Sequence, residues 1–184
     1  MNDAALFWAE MAPCEHLVQI YEEDEVFLRT LEGFVADGLA VNEAVIVVAT
    51  PEHLAFLART LSDRGIDLTA AVRSDQYVAV DANTALDLFM VNGWPDDELF
   101  NSFVGDLLSR ATRGGRRVRA FGEMVAILWA RGHCGSTVRL EHLWHALCEE
   151  QRFMLFCAYP RAGFTRNPVE SIQEICETHS RVIA

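Results

Sequence analysis

Lysine is missing from this chain, in which all 15 basic residues are arginine. That excludes Schiff-base chemistry on a lysine amine, and a phosphate loop that relies on its own lysine. A GC-rich coding sequence accounts for the bias, and the chemical exclusion holds either way. Basic charge is scarce altogether: 15 residues face 27 acidic ones, for a net charge of −12. Nucleic-acid backbones and anionic lipids are held by clustered Lys and Arg, so neither direct nucleic-acid binding nor membrane binding is expected. No basic residue precedes Arg29, and apolar runs such as Met124–Ala130 fall far short of the roughly 20 residues that span a bilayer. A cytoplasmic location is therefore expected. The cysteines (Cys14, Cys134, Cys148, Cys157 and Cys176) are odd in number and contain no CxxC pair. They indicate reduced thiols rather than a disulfide framework or a zinc ribbon.

What is present is ample apolar material, 51% of 184 residues, enough for one globular domain over residues 1–184. The core is expected over about 14–165, followed by a carboxyl-terminal helix over about 168–180. His16–Tyr21 (HLVQIY), Ala44–Ala49 (AVIVVA), Gln76–Val80, Val118–Phe121 and Phe153–Tyr159 read as strands. Between them, helical spacing covers Val26–Leu39, Pro51 to about Arg64, Thr84–Phe89, about Asp96 to Thr112, Met124–Ala130, and a helix capped by Ser136 and running to Glu150. Asn92-Gly93-Trp94-Pro95 reads as a break, and Asn167-Pro168 as the start of the last helix. Strands alternating with helices predict a three-layer α/β fold, doubly wound. Its sheet is mostly parallel, with at least five strands and helices on both faces.

In such sheets ligands bind beyond the carboxyl ends of the strands, where helix N-termini converge. The candidates there are Tyr21 and the acidic turn Glu22–Glu25, Thr50 and His53, Asp81, Gly122-Glu123-Met124, and Tyr159. A nucleotide-binding turn after the first strand needs glycine and free N–H groups. Four carboxylates would instead satisfy the helix dipole themselves and repel phosphate, so ATP binding of the usual kind is not expected.

Five ordered segments, His16–Tyr21, Ala49–His53, Phe89–Asp96, Arg117–Met124 and Cys157–Pro160, resemble the MEDS domain. This is the methanogen/methylotroph sensory domain described from a dichloromethane-responsive repressor. The resemblance covers roughly His16 to Phe164. It implies a sensory module for small organic molecules, linked in relatives to DNA-binding or histidine-kinase output. It further implies similarity to the RecA-like ATPase domain of the circadian-clock protein KaiC. On that comparison Glu22–Glu25 replaces the phosphate loop, and Gly122-Glu123 lies where a metal-holding aspartate would follow the fourth strand. The tail Ile175–Ser180 resembles the segment through which some relatives continue into a signalling helix.

Glu123, after an apolar strand and beside Met124, reads as a proton donor to a ligand, against the simpler role of a helix-start carboxylate satisfied by backbone N–H groups. His16, with Gln19 and Tyr21 alternating along its strand, is expected to give one face a line of polar groups. Met90, Trp94, Phe121, Met124 and Trp129, with Trp144, supply apolar lining or core. His142, His145 and Cys148, with His133 or Cys134, match no known zinc signature, so no metal is assigned. Cys157 lies in a core strand, where burial disfavours a nucleophile. Arg113, Arg116, Arg117 and Arg119 read as a solvated strand entry, with a partner's acidic surface as the sharper alternative.

The expectation is a non-enzymatic, cofactor-free sensor. It would bind a small organic ligand through His16, Gln19, Tyr21, Thr50, His53, Asp81, Met90, Trp94, Phe121, Glu123, Met124, Trp129 and Tyr159. It would act as a homodimer, or on an output regulator or kinase carried by another chain. The alternatives are a ligand-free protein-interaction module on a degenerate ATPase scaffold and, third, a residual nucleotide hydrolase.

Overall fold

Short β-branched and aromatic runs, buried on both faces, assemble a parallel sheet in the computed structural model, which describes Trp8, residues 11–165 and residues 168–183. The strands are β1 (His16–Tyr21), β2 (Ala44–Ala49), β3 (Tyr77–Asp81), β6 (Val118–Gly122), β7 (Met154–Pro160) and β8 (Arg181–Ile183). A separate two-stranded ribbon is formed by β4 (Met90–Val91) and β5 (Trp94–Pro95). The helices are α1 (Asp24–Ala40), α2 (Pro51–Asp63), α3 (Leu68–Arg73), α4 (Ala82–Phe89), α5 (Asp97–Ala111), α6 (Met124–Ala130), α7 (Cys134–Gln151) and α8 (Pro168–Glu177). No described helix is long and apolar enough to cross a membrane.

The sheet order is β3-β2-β6-β7-β1-β8, and every pairing within it is parallel. Right-handed crossovers then divide the helices by direction of travel. The connections β1→β2→β3 run one way and put α1, α2 and α3 on one face, around Phe27, Leu31, Leu57, Leu61 and Ala71. The connections β3→β6→β7→β8 run the other way and put α4 to α8 on the opposite face, around Phe89, Phe100, Leu140, Trp144 and Ile175. The expected three-layer α/β fold is what is found. The six strands satisfy the expected minimum of five, with β8 the addition, and α3 is a short helix that the sequence pattern does not announce.

Local chemistry explains most boundaries. Thr50 accepts from the His53 N–H with Pro51 in the first helical position, Asp81 accepts from Asn83 and Thr84, and Asp96 accepts from Leu99. The break at Asn92-Gly93 is a two-residue hairpin, both residues having positive φ (51° and 79°), the geometry that Asn-Gly tolerates. Three readings need correction. Ser136 does not cap α7, which starts at Cys134 behind His133; its hydroxyl donates to the Gly93 carbonyl at 2.6 Å and ties the helix to the hairpin. Of the four carboxylates expected to face the dipole of α1, Asp24 and Glu25 stand in its first turn behind Glu23 at the N-cap, while Glu22 pairs with Arg161 instead. Arg119 is not solvated but 3% exposed, because its side chain points inward from β6 to Glu43 and the Phe34 carbonyl. The expected cap at Asn167 lies outside the described residues.

Arg119 also sets a packing limit. A Cβ on Gly38 would stand 2.7 Å from Arg119 Cδ and Nε and 2.8 Å from Val45 Cγ2. Glu43 and Phe34 hold that guanidinium, so it cannot swing clear. Gly38→Ala, a change that stabilises an exposed helix by about 1 kcal/mol, is expected here to lower unfolding stability by roughly 1–3 kcal/mol. Urea unfolding at constant m-value is the check, and a stabilised variant would contradict the packing argument.

Candidate functional site

β2 sends its connection toward one face and its neighbour β6 toward the other, which makes their carboxyl ends a topological switch point. Glu123 follows β6 and precedes α6, yet its carboxylate does not cap that helix. It reaches across the switch instead. Glu123 Oε2 accepts the Thr50 N–H at 2.8 Å and lies 2.9 Å from His53 Nδ1. The Glu123 backbone N–H donates to Val48 on the same neighbouring strand at 2.8 Å, fixing the reach.

The surroundings of this pair are aromatic. Phe27 meets the His53 ring edge-on with centroids 5.2 Å apart, Tyr21 stacks on Phe27 at 4.6 Å, and Phe121 lies 5.7 Å from Phe27. Burial alone would pull His53 down, but the hydrogen bond and charge of Glu123, with the charges of Asp24 and Glu52, outweigh it and raise His53 above its ordinary 6.5. Burial, then the charges of Glu123 and Asp24, push the Tyr21 hydroxyl well up, so it stays protonated and can donate. The arrangement can offer a polar ligand one carboxylate, one imidazole and one phenol within an aromatic wall.

A second polar cluster lies inside the opposite layer. Glu141, midway along α7, is 0% exposed. Its Oε2 stands 3.3 Å from His16 Nε2, 3.5 Å from His179 Nε2 and 3.6 Å from Cys157 Sγ, while Tyr159 donates a short hydrogen bond to Oε1. Burial would raise the Glu141 carboxyl, but His179 and His16 outweigh it and hold it far below the usual carboxylate range. Burial lowers His16 despite the neighbouring carboxylate, and burial together with Glu141 drives the Cys157 thiol and the Tyr159 phenol well up.

The thirteen residues singled out from sequence therefore do not meet in one place. Tyr21, Thr50, His53, Phe121 and Glu123 gather at the β2/β6 switch. His16 and Tyr159 belong to the Glu141 cluster, so the expected polar line of His16, Gln19 and Tyr21 does not exist. Residue 16 has the opposite parity to 19 and 21, and Gln19 turns to the α1 side, where it donates to Thr30. Asp81 is occupied as the cap of α4, Met124 is core, and Met90 and Trp94 form the hairpin. Trp129 lines a hollow of about 720 Å³ with Cys134, Pro160, Ser171 and Glu174. Another hollow, of about 590 Å³, opens at the amino edge of the sheet beside Arg116, Arg117 and Arg152.

Sequence reasoning passed over Glu141 and His179. A signal for Glu141 existed: Thr137, Leu140, Trp144 and Cys148 define the buried stripe of α7, and Glu141 falls on it as a lone charge. His142 and His145, which drew attention, flank that stripe, and His145 pairs with Glu149. Cys148 is likewise engaged elsewhere, its thiol donating to the Phe153 carbonyl at 2.9 Å.

The raised His53 gives a pH signature. A pKa above its unfolded value means the pair's ionic stabilisation is complete below pH 6.5 and is lost as pH rises through the folded pKa. Glu123→Gln should therefore lower the thermal midpoint most below pH 6.5, with the gap narrowing at higher pH. The His53 NMR titration should move down in the same variant, and an unmoved titration would contradict the pairing.

Among curated proteins none matches this chain. A family model does, over residues 15–180, a span that holds the Glu123–His53 pair and the whole Glu141 cluster. On that match the chain belongs to the MEDS family, the MEthanogen/methylotroph, DcmR Sensory domain.

Proposed function

We propose that this sensory domain binds a small organic ligand at the β2/β6 switch point and does so without catalysis. The observation that carries the reading is the Glu123–His53 bond, which ties the loop before α6 to the loop-and-first-turn start of α2, two helices on opposite faces of the sheet. A ligand that hydrogen-bonds Glu123 competes with His53, and so distinguishes a state with the two loops joined from one with them parted. Signalling requires that difference in affinity between two conformations. The aromatic neighbours favour a compact, weakly polar molecule such as an alcohol, aldehyde, haloalkane or carboxylic acid. The partner that reads the change is a second copy of the chain, or a transcription regulator or kinase on another chain.

The scaffold reading that accompanies this is a RecA/KaiC-like sheet whose nucleotide site has been lost. Its support is the turn after β1, where Glu22, Glu23, Asp24 and Glu25 are all exposed and no glycine lets a phosphate approach the backbone.

A thermal-shift panel of such small molecules alongside Mg-ATP and ADP tests both readings. A ligand at 100 times its Kd adds about 2.7 kcal/mol, equivalent to roughly 5–10 °C for a domain of this size. The expected result is a shift with one organic class, absent in Glu123→Gln, and none with nucleotide. A shift with Mg-ATP would overturn the lost-nucleotide reading, and silence across the panel would favour the ligand-free interaction module.

A further inference from the structure

We propose that His16 Nε2, Glu141 Oε2, Cys157 Sγ and His179 Nε2 form a buried four-coordinate site for a divalent transition metal, with zinc the ion their chemistry fits best. The four donor atoms all lie within 4.8 Å of one another. Four of the six separations are 3.3 Å (Glu141–His16), 3.5 Å (Glu141–His179), 3.6 Å (Glu141–Cys157) and 3.5 Å (His16–Cys157). A tetrahedral ion with bonds of about 2.0–2.3 Å has ligand–ligand edges of about 3.3–3.8 Å. Direct N–H···O hydrogen bonds, by contrast, favour about 2.7–3.2 Å.

The orientation of His179 is the second observation. Its Nδ1 lies 2.7 Å from the Ile175 carbonyl, which can only accept, so Nδ1 carries the proton. In the neutral ring, the form that can ligate a metal, Nε2 is then the lone-pair nitrogen. It is buried, has no hydrogen-bond partner, and faces the Glu141 carboxylate. A backbone carbonyl that fixes the tautomer and aims the other nitrogen is the usual outer support of a metal-bound histidine. Tyr159 supports Glu141 in the same way through Oε1, leaving Oε2 for the ion.

Charge balance selects the oxidation state. On binding, the Cys157 S–H bond and the Nε2–H bond of a protonated His179 break, the protons leave to solvent, and sulfur–metal and nitrogen–metal bonds form. Thiolate and carboxylate then neutralise a 2+ ion between two neutral imidazoles, leaving no net charge in a site where His16, Glu141 and His179 side chains are 0% exposed. A thiolate–imidazole–carboxylate set suits zinc better than magnesium or calcium, which take oxygen ligands. The ligands come from β1, α7, β7 and the turn before β8, so the ion would pin that turn to the sheet.

The test uses the full chain after chelator treatment, titrated with Co²⁺ and followed by absorption. One equivalent should give the visible d–d bands of a tetrahedral site and a near-ultraviolet thiolate-to-cobalt band, both abolished by one equivalent of Zn²⁺. Cys157→Ser should remove the thiolate band, Cys134→Ser should leave it, and His179→Gln, titrated below its own metal-free melting midpoint, should weaken Co²⁺ binding at least about 100-fold. Absence of the thiolate band at excess Co²⁺, its survival in Cys157→Ser, or undiminished binding by His179→Gln would overturn the proposal. Glu123→Gln should leave the cobalt spectrum intact, which separates this site from the one at the switch point.

Discussion

A carboxylate with no exposure to water cannot stand alone, and Glu141 obliges four residues on three other elements to serve it. Transfer of an unpaired charge into a protein interior costs far more than a domain's net stability, so its surroundings must hold donors at fixed places. His16 comes from the start of β1, Cys157 and Tyr159 from alternate positions of β7, and His179 from the turn before β8. The register pairing His16 with Leu155 and Val18 with Cys157 aligns these residues along the strands. α7 must then present Glu141 to them, which fixes the rotation of an 18-residue helix whose overall amphipathic pattern is weak.

The other face of the sheet answers to a different demand. There the side chains from β2, β6 and β7 include Val47, Phe121, Phe156 and their apolar neighbours, with Arg119 and Glu43 at the amino edge, Glu123 and His53 at the carboxyl edge, and Gln19 of β1 bonded to Thr30 between. β1 serves both layers at once, since His16 and Val18 point one way and Leu17, Gln19 and Tyr21 the other. Six residues thus connect the buried cluster to the switch-point aromatics, with rigid sheet between them.

Much of this was legible from the chain alone. The strand and helix order followed from β-branched runs alternating with helical periodicity, and the start of α2 followed from Thr50-Pro51, whereas Asp81 read as a ligand group until its capping bonds to α4 were seen. The crevice rule brought Thr50, His53 and Glu123 into one group without any knowledge of distance, because strand ends converge in space whatever their spacing in sequence. The Glu141 cluster escaped because its members are separated by as many as 163 positions and share no local motif: a helix, two strands and a turn contribute to it. Arg119 escaped for a related reason, since an arginine in a run of four reads as surface until its partner Glu43 is known. The three-residue β8 is too short to announce itself by alternation, and only its pairing with Leu17–Gln19 makes it a strand.

That short strand has a protective consequence. β1 is flanked by β7 on one side and by β8 on the other, where, among the described residues, the three of β8 pair with it and Ser180 bonds to both backbone groups of His16. Its sequence, HLVQIY, is uncharged apart from the titratable His16, rich in β-formers and free of proline and glycine. Those are the attributes of a segment able to stack on copies of itself into a steric zipper. The tail that seals the Glu141 cluster therefore also covers an edge of β1, and a lesion that peels β8 away would expose an unpaired strand edge along with a buried charge.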